Sequence, residues 1–293
     1  MSEYRTTYLS LGAGVQSMAL YVLGTENRND VPRPDVAVFA DTGDEPAHVY
    51  RQLDSLEAWG QANNGPPIKR VSLGMSLSEI MVARWVPIPA FTINDGDTGM
   101  LLRQCTQEVK VVPIQRFIKE EWLGIKRGRR MPFRVRNLIG FSCEEVTRTK
   151  PSPEKWLTRA YPLIDAGLYR PHCIRIVEDA GLGTPKKSAC VFCPYHSDRY
   201  WATMKRDDPE SFAKAVGVDR MIRTAASRQA TYVADGKAQA RLRTDPKVDL
   251  GRKADGITAD SVYIHRSCRP LDEVEFGDQQ DLWDEECSGS CWT

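Results

Sequence analysis

The sequence predicts an α/β protein: a Rossmann-like, doubly wound, mainly parallel sheet carrying a helical, cysteine-bearing C-terminal extension. Two short apolar runs, Tyr8-Leu-Ser-Leu-Gly12 and Val36-Ala-Val-Phe-Ala40, each lead through glycine into a segment of helical pattern. Buried parallel strands joined by crossover helices require that order. Further strand candidates at 68–73 and 135–142 continue the alternation, which places ligands at the carboxyl ends of the strands.

Helices are expected at about 15–24 and 46–63. The third strand, Ile68-Lys-Arg-Val-Ser-Leu73, follows the turn-like Asn63-Asn-Gly-Pro-Pro67, and the fourth is Val135-Arg-Asn-Leu-Ile-Gly-Phe-Ser142. After about residue 150 the pattern changes to helices and cysteine-bearing turns. Residues 1–150 are therefore read as a nucleotide-binding α/β domain and 151–293 as an extension packed on it. Within the extension, 197–243 looks helical and polar, with Trp201, Met204, Phe212, Val216 and Met221 as candidate inner-face residues. The stretch 244–260 is rich in Lys, Asp and Gly and reads as a linker or loop. Ser261-Val-Tyr-Ile-His-Arg-Ser267 resembles a strand before an acidic tail with Cys287 and Cys291. No internal repeat is seen.

The 293 residues suffice for one α/β core with large additions, or for two small domains. A net charge of +1 argues against a wholly basic nucleic-acid coat protein and leaves local patches to decide the partner. No apolar stretch approaches the roughly 20 residues of a membrane span, and the first residues lack a signal-peptide apolar region, so a cytoplasmic protein without membrane attachment is expected. In that compartment the eight cysteines would not form a disulfide framework, leaving metal binding, redox chemistry or burial. Cys143 and Cys268, isolated in mixed surroundings, read as packed thiols.

The first candidate site is Ser10-Leu-Gly-Ala-Gly-Val-Gln-Ser17. Gly12 and Gly14, on a strand-to-helix turn, let backbone N–H groups approach an anion, and Ser10 and Ser17 add hydroxyls beside the positive end of the helix. The segment lacks both the Lys-Ser/Thr ending of a Walker loop and the full dinucleotide glycine pattern. At the end of the second strand, Asp41, Thr42 and Gly43 would face the same crevice, while Thr42 or Asp44 would also serve as a helix N-cap.

Together, this Ser-x-Gly-x-x-x-x-Ser loop and the turn Phe39-Ala-Asp-Thr-Gly-Asp-Glu-Pro46 resemble the adenine nucleotide alpha hydrolase (PP-loop) superfamily, specifically its phosphoadenosine phosphosulfate reductase-like branch. The likeness continues through Arg103-Gln-Cys-Thr-Gln-Glu-Val-Lys-Val-Val-Pro-Ile114, Gly140-Phe-Ser-Cys-Glu-Glu-Val-Thr-Arg148, Tyr161-Pro-Leu-Ile-Asp165 and the Cys190/Cys193 turn, covering roughly residues 7–215. It implies that the first loop holds the phosphates of ATP or a sulfonucleotide, and that Asp41 and its neighbours hold Mg²⁺ or the adenosine side. Arg148 sits where related enzymes line the nucleotide pocket; its bland alternative is a surface ion pair. Gln16 departs from the aspartate usual in the superfamily's ATP pyrophosphatases, which weakens Mg²⁺-assisted ATP cleavage, since Mg²⁺ prefers hard anionic ligands.

Cys190-Val-Phe-Cys193 puts two thiolates within reach of one metal. Cys105 lies in a segment similar to the cysteine, lysine and proline stretch of the cluster-bearing sulfonucleotide reductases, with Thr106 where a second cysteine would stand. Cys105, Cys173, Cys190 and Cys193 are thus expected to hold a 4Fe-4S cluster, with Zn²⁺ on the same ligands or an unmetallated thiol pair as alternatives. His172 and His196 could replace the fourth ligand. Cys287 and Cys291 resemble the mobile nucleophilic tail of the reductases and are the candidate catalytic thiols, although their acidic neighbours oppose thiolate formation.

Lys126-Arg-Gly-Arg-Arg130 with Arg134 and Arg136, flanked by Trp122 and Phe133, reads either as a solvated loop or as a contact for DNA or tRNA. Two enzyme readings follow: ATP-dependent activation and thiolation of a nucleic-acid acceptor, with a thiol or sulfur-donor protein as partner, or reductive cleavage of a sulfonucleotide to sulfite. A non-catalytic nucleic-acid-binding or redox-sensing module is the third.

Overall fold

The computed structural model describes residues 3–83, 88–94, 97–101, 103–233 and 262–276. The described residues divide into two units, the first within 3–73 and 106–189, the second within 74–105, 190–233 and 262–276.

The first unit is a five-stranded parallel sheet, order β3-β2-β1-β6-β7. Its strands are β1 (Thr6–Leu11), β2 (Val36–Ala40), β3 (Ile68–Val71), β6 (Val135–Ile139) and β7 (Leu157–Ala160). All six residues of β1 are buried, as the centre of a sheet covered on both faces demands. Odd-numbered Leu9 and Leu11 pack with α1 (Val15–Glu26), α2 (Ala47–Ala62) and α6 (Arg170–Asp179). Tyr8 instead packs with Ile114 of α4 (Val112–Arg116) and with Phe117 and Ile118 of the π-helical turn Phe117–Trp122 on the other face. A second π-helical turn, Thr106–Val111, precedes α4. Period-2 alternation in one strand thus feeds two cores.

Helix α1 is buried along nearly its whole length, because it is wedged between the sheet, α2 and α6. It ends at Asn27 in the left-handed conformation, whose N–H bonds the carbonyl of Leu23. The helices expected at 15–24 and 46–63 are found within two residues, and the strand expected at 135–142 stops at Ile139.

The division expected at residue 150 falls inside this sheet. β7 pairs in parallel with β6, Leu157 opposite Val135, and α5 (Pro162–Asp165) and α6 follow it. The sequence signal for β7 is weak because Leu157-Thr-Arg-Ala160 is short and, beyond its first residue, only half-buried, as suits an edge strand.

The second unit contains the antiparallel sheet β5-β4-β8, with β4 at Phe91–Asn94, β5 at Asp97–Met100 and β8 at Val262–Tyr263. Its helices are α3 (Leu77–Ala83), α7 (Asp198–Asp207) and α8 (Pro209–Val233). The single helical stretch expected over 197–243 is divided at Asp208-Pro209, since proline disfavours helical backbone in the residue before it. Trp201, Met204 and Phe212 are buried as expected, Val216 and Met221 only partly, and Val218 and Ile222 complete the inner face. Residues 244–260 lie outside the described residues.

Two buried polar residues tie this unit together. Asp219 on α8 accepts the N–H groups of Ile264 (2.9 Å) and Leu271 (3.1 Å) and pairs with Arg223 at 3.2 Å. His265, with Nδ1 accepting the N–H of Ser267, directs Nε2 to Asp198 at 3.0 Å.

In the first unit the packing of α1 on α2 permits no side chain at Gly60. A Cβ there would overlap the hydroxyl of Tyr21, which is buried and donates to the carbonyl of Pro66 at 2.7 Å. Gly60→Ala is expected to destabilise the chain by about 1–3 kcal/mol through overpacking. Urea unfolding measures this, and an unchanged midpoint would refute that packing.

Candidate functional site

In a sheet of order 3-2-1-6-7 the connections leave β1 in one direction and return to β6 on its other side, opening a crevice at the carboxyl ends of these two strands. The turn Gly12-Ala13-Gly14 sits at the end of β1. Ala13 is in the left-handed region at φ 53°, a conformation costing roughly 1–2 kcal/mol for a residue with a Cβ. The side-chain amide of Gln52 on α2 bonds the Ala13 carbonyl at 2.7 Å and helps hold the turn.

Ser17 closes the turn. Its hydroxyl oxygen accepts the N–H groups of Gly12 (3.2 Å) and Gly14 (3.3 Å) and donates to the Gly14 carbonyl (3.1 Å). Two backbone N–H groups therefore converge on one oxygen at the positive end of α1, the arrangement an anionic oxygen would use. At the end of β6, a Cβ on Gly140 would lie 2.9 Å from the backbone nitrogen of Ser17. Glycine is required there for close approach, not for its dihedral freedom.

Ser10 does not join this cradle. Strand alternation turns its side chain to the other face, where the hydroxyl donates to Asn137 Oδ1 at 2.9 Å. There it lines a small cleft with Tyr8, Gln115 and Arg159.

Gln16 reaches across the switch point instead, donating to Glu145 Oε2 at 3.2 Å and Ser142 Oγ at 3.4 Å. A carboxylate from the turn after β6 is thus bonded to the side chain at position 16. Burial pushes the Glu145 carboxyl above its ordinary range, against the lowering effects of Arg148 and the Ser142 N–H. Arg148 is no surface ion pair: its guanidinium pairs with Glu145 and lies over Phe141, 4.4 Å from the ring centroid. Phe141 in turn stacks on Tyr161 at 5.6 Å.

At the end of β2, Asp41 Oδ1 accepts the Gly43 N–H (2.8 Å) and the Tyr50 hydroxyl (2.9 Å). The Thr42 hydroxyl donates to Glu45 and accepts the Asp44 N–H within the turn, whereas the N-cap of α2 is Pro46 without a side-chain cap, so neither Thr42 nor Asp44 caps that helix as expected. Glu45 also pairs with Lys110 at 3.0 Å, their side chains 0% and 11% exposed. Removal of one partner from so buried a pair typically costs about 3–5 kcal/mol.

Sequence reading missed Lys186-Lys187-Ser188. Gln52, which holds the Ala13 carbonyl, also bonds the Lys186 carbonyl at 3.1 Å, and His48 Nε2 donates to the Lys187 carbonyl at 3.0 Å. Ser188 comes so near that a Cβ on Gly14 would lie 3.4 Å from its own Cβ. Two lysines are thereby strung beside the anion turn. Only the pairing of α2 polar side chains with a distant carbonyl run reveals them, and no spacing rule encodes that.

The expected metal ligands are divided between the two units. Cys173 of the first unit is 0% exposed and packs in the core with Leu163, Ile176 and Val177. Burial, aided by the charge of Glu144, pushes its thiol up to about 12. As a metal ligand this thiol would have to give up its proton. Cys105, Cys190 and Cys193 belong to the second unit. There the Cys193 N–H bonds the Cys190 carbonyl (3.0 Å), which also accepts from His196 Nε2 (2.9 Å), while the His196 ring stacks on Tyr200 at 4.0 Å. His172 is exposed, its Nδ1 accepting the Tyr169 N–H. Among the described residues no three His, Cys, Asp or Glu side chains form a group that could hold a metal ion. Cys287 and Cys291 lie outside the described residues. Cys268 is buried and Cys143 half-buried.

Comparison with known families and with curated proteins finds no match. No helix among the described residues is long and apolar enough to cross a membrane.

Native chain exposed to a thiol alkylating reagent at pH 8 should leave Cys173 unmodified until denaturant is added, as peptide mass spectrometry reads. Native-state labelling as fast as that of Cys193 would sink its core placement. Burial, reinforced by the charges of Lys186 and Arg51 against the bond to the Lys187 carbonyl, holds the His48 imidazole below its ordinary value. The unfolded chain then binds the extra proton, so His48 stability is present at neutral pH and lost as pH falls through about 6.5 towards the lower folded value. His48→Gln should flatten that part of the melting-temperature profile, and an unchanged profile would reject His48 as its source.

Proposed function

We propose that the first unit binds the phosphates of an adenine nucleotide and that the chain is an enzyme of sulfur chemistry similar to the phosphoadenosine phosphosulfate reductase-like branch of the PP-loop superfamily. The observation that carries this reading is the turn at the β1/β6 switch point, where the Gly12 and Gly14 N–H groups converge at the start of α1 with Lys186-Lys187 anchored alongside. Polyphosphate charge would be met there by N–H groups and a helix terminus, with two lysines on the adjoining backbone. Asp41 and the buried Glu145 are the oxygen ligands available to Mg²⁺.

The preferred reaction is ATP-dependent activation of a nucleic-acid acceptor. An acceptor oxygen attacks the α-phosphorus, pyrophosphate leaves, and a sulfur nucleophile from a thiol or sulfur donor then displaces AMP. N–H groups fixed before reaction stabilise charge gathering on the phosphate oxygens. Glu145 beside Gln16 favours this over reductive cleavage, because it returns a carboxylate to a position where the sequence lacks one.

The four-thiolate cluster fits this chain only in part. Cys190 and Cys193 share a tight turn, with Cys105 in the same unit, whereas Cys173 is a buried thiol of the first unit. A cluster or zinc ion would supply sulfur carriage or structural bracing when bound.

Calorimetric titration with Mg·ATP and with adenosine phosphosulfate tests the nucleotide site. Gly140→Ala, which pushes β6 against the Ser17 nitrogen, should weaken nucleotide binding at least about ten-fold, a loss of about 1.4 kcal/mol, while circular dichroism stays native. Absence of binding by the unaltered chain would overturn the reading. Pyrophosphate release stimulated by nucleic acid identifies activation; sulfite release with a thiol reductant identifies reductive cleavage. In anaerobic preparations Cys190→Ala should lose the bound iron or zinc, and full retention would remove Cys190 from the ligand set.

A further inference from the structure

The six Lys and Arg residues between Lys126 and Arg136, a stretch without Asp or Glu, are at the opposite end of the sheet from the glycine turn. Arg136 faces Thr7 in the register of β6 on β1, and the Arg5 N–H bonds the Arg134 carbonyl at 2.8 Å. Both strands begin here. At about 3.3 Å per residue, β1 puts this edge roughly 20 Å from Gly12.

The edge is organised rather than frayed. The guanidinium groups of Arg134 and Arg136 lie 5.5 and 5.1 Å from the ring centroid of Tyr4, and that of Arg5 lies 5.3 Å from the ring of Phe133. Phe133 remains 39% exposed. Lys126, Arg127, Arg129 and Arg130 are all exposed on the neighbouring turn, which the Arg129 N–H closes onto the Lys126 carbonyl. Buried Met131 fixes the turn to the core between Ile118 and Val135. Glu3 neutralises Arg134 alone.

We infer that this amino-end edge is a docking surface for nucleic acid, separate from the reacting centre at the carboxyl ends. Seven cations and one aromatic face, against Glu3 paired with Arg134 and Asp35 bonded to Thr6 and Thr7, match a phosphate backbone, whose contacts position a strand without reading its sequence. Arginine predominates, and its planar fork pairs with phosphate oxygens. The inference deepens the acceptor reading above by saying where the acceptor is gripped, yet its test needs no nucleotide.

Fluorescence anisotropy of labelled single-stranded and duplex oligonucleotides with the full chain, without ATP, reads the surface directly. Combined replacement K126Q, R127Q, R129Q and R130Q alters only exposed side chains and should leave the melting temperature unchanged. It should weaken binding at least about ten-fold at low salt and flatten the slope of log K against log salt by up to about 3 for single strands. Gly140→Ala should bind oligonucleotide as the unaltered chain does, so that loss of the nucleotide site and loss of the surface are told apart. No oligonucleotide binding, or unchanged affinity in the quadruple variant, overturns the inference. Equal affinity for heparin or anionic vesicles also overturns it, by making the face a general polyanion surface. The stronger of the two oligonucleotides identifies the form of nucleic acid held.

Discussion

The backbone of Gly140 lies against the first turn of α1 with no room for a Cβ, 2.9 Å from where one would meet the Ser17 nitrogen. That contact locks the end of β6 to the end of β1. It sets the width of the crevice at the switch point and fixes the helix start whose N–H groups define the anion turn. Gln16, one residue before Ser17, can span to Glu145 and Ser142 only because the two turns are this close. The polar network of the site is thus a consequence of a packing constraint, and side-chain hydrogen bonding refines a geometry that backbone contact imposes.

A second constraint acts through α2. Gln52 binds both the Ala13 carbonyl and the 186 backbone, and His48 binds the 187 backbone. A residue in the left-handed region persists when its surroundings over-determine it, and Ala13 is so held from α2. The same helix therefore maintains strain in the turn and supplies its cationic flank. Lys186 is exposed and Lys187 half-buried on this pinned backbone.

Much of the fold was legible because β1 and β2 are short, largely apolar runs that lead through a glycine-bearing turn into a helix, and β6 is followed by Gly140. β7 was not legible: an edge strand of four residues lacks a continuous apolar run. Gly12, Gly14 and Ser17 could be read from the turn, whereas the separation of Ser10 from them depends on which face residue 10 takes. Cys173 looked like a ligand from its neighbours in sequence. Its place on the inner face of α6, with Ile176 and Val177 completing a 3.6-residue period, was the better signal. Lys186 and Lys187 depended on tertiary pairing and left no local mark.

The polarity of a parallel sheet separates chemistry from attachment. All five strands run the same way, so every carboxyl end, with its turns and converging N–H groups, is on one edge, and every amino end is on the other. Acidic Asp41 and Glu145 stand at the first edge, where they would repel a bare phosphate backbone unless metal or lysine intervenes. The second edge has Arg5, Arg134 and Arg136, with Glu3 paired to Arg134 and Asp35 bonded to Thr6 and Thr7. On the proposed reading a polyanion would lie at the edge with the arginines and a compact nucleotide at the edge with the glycine turn. An acceptor strand held at the basic edge would present to the reacting centre only the portion extending around the sheet. Specificity for the reacting position would then come from geometry, since phosphate contacts alone carry no sequence information.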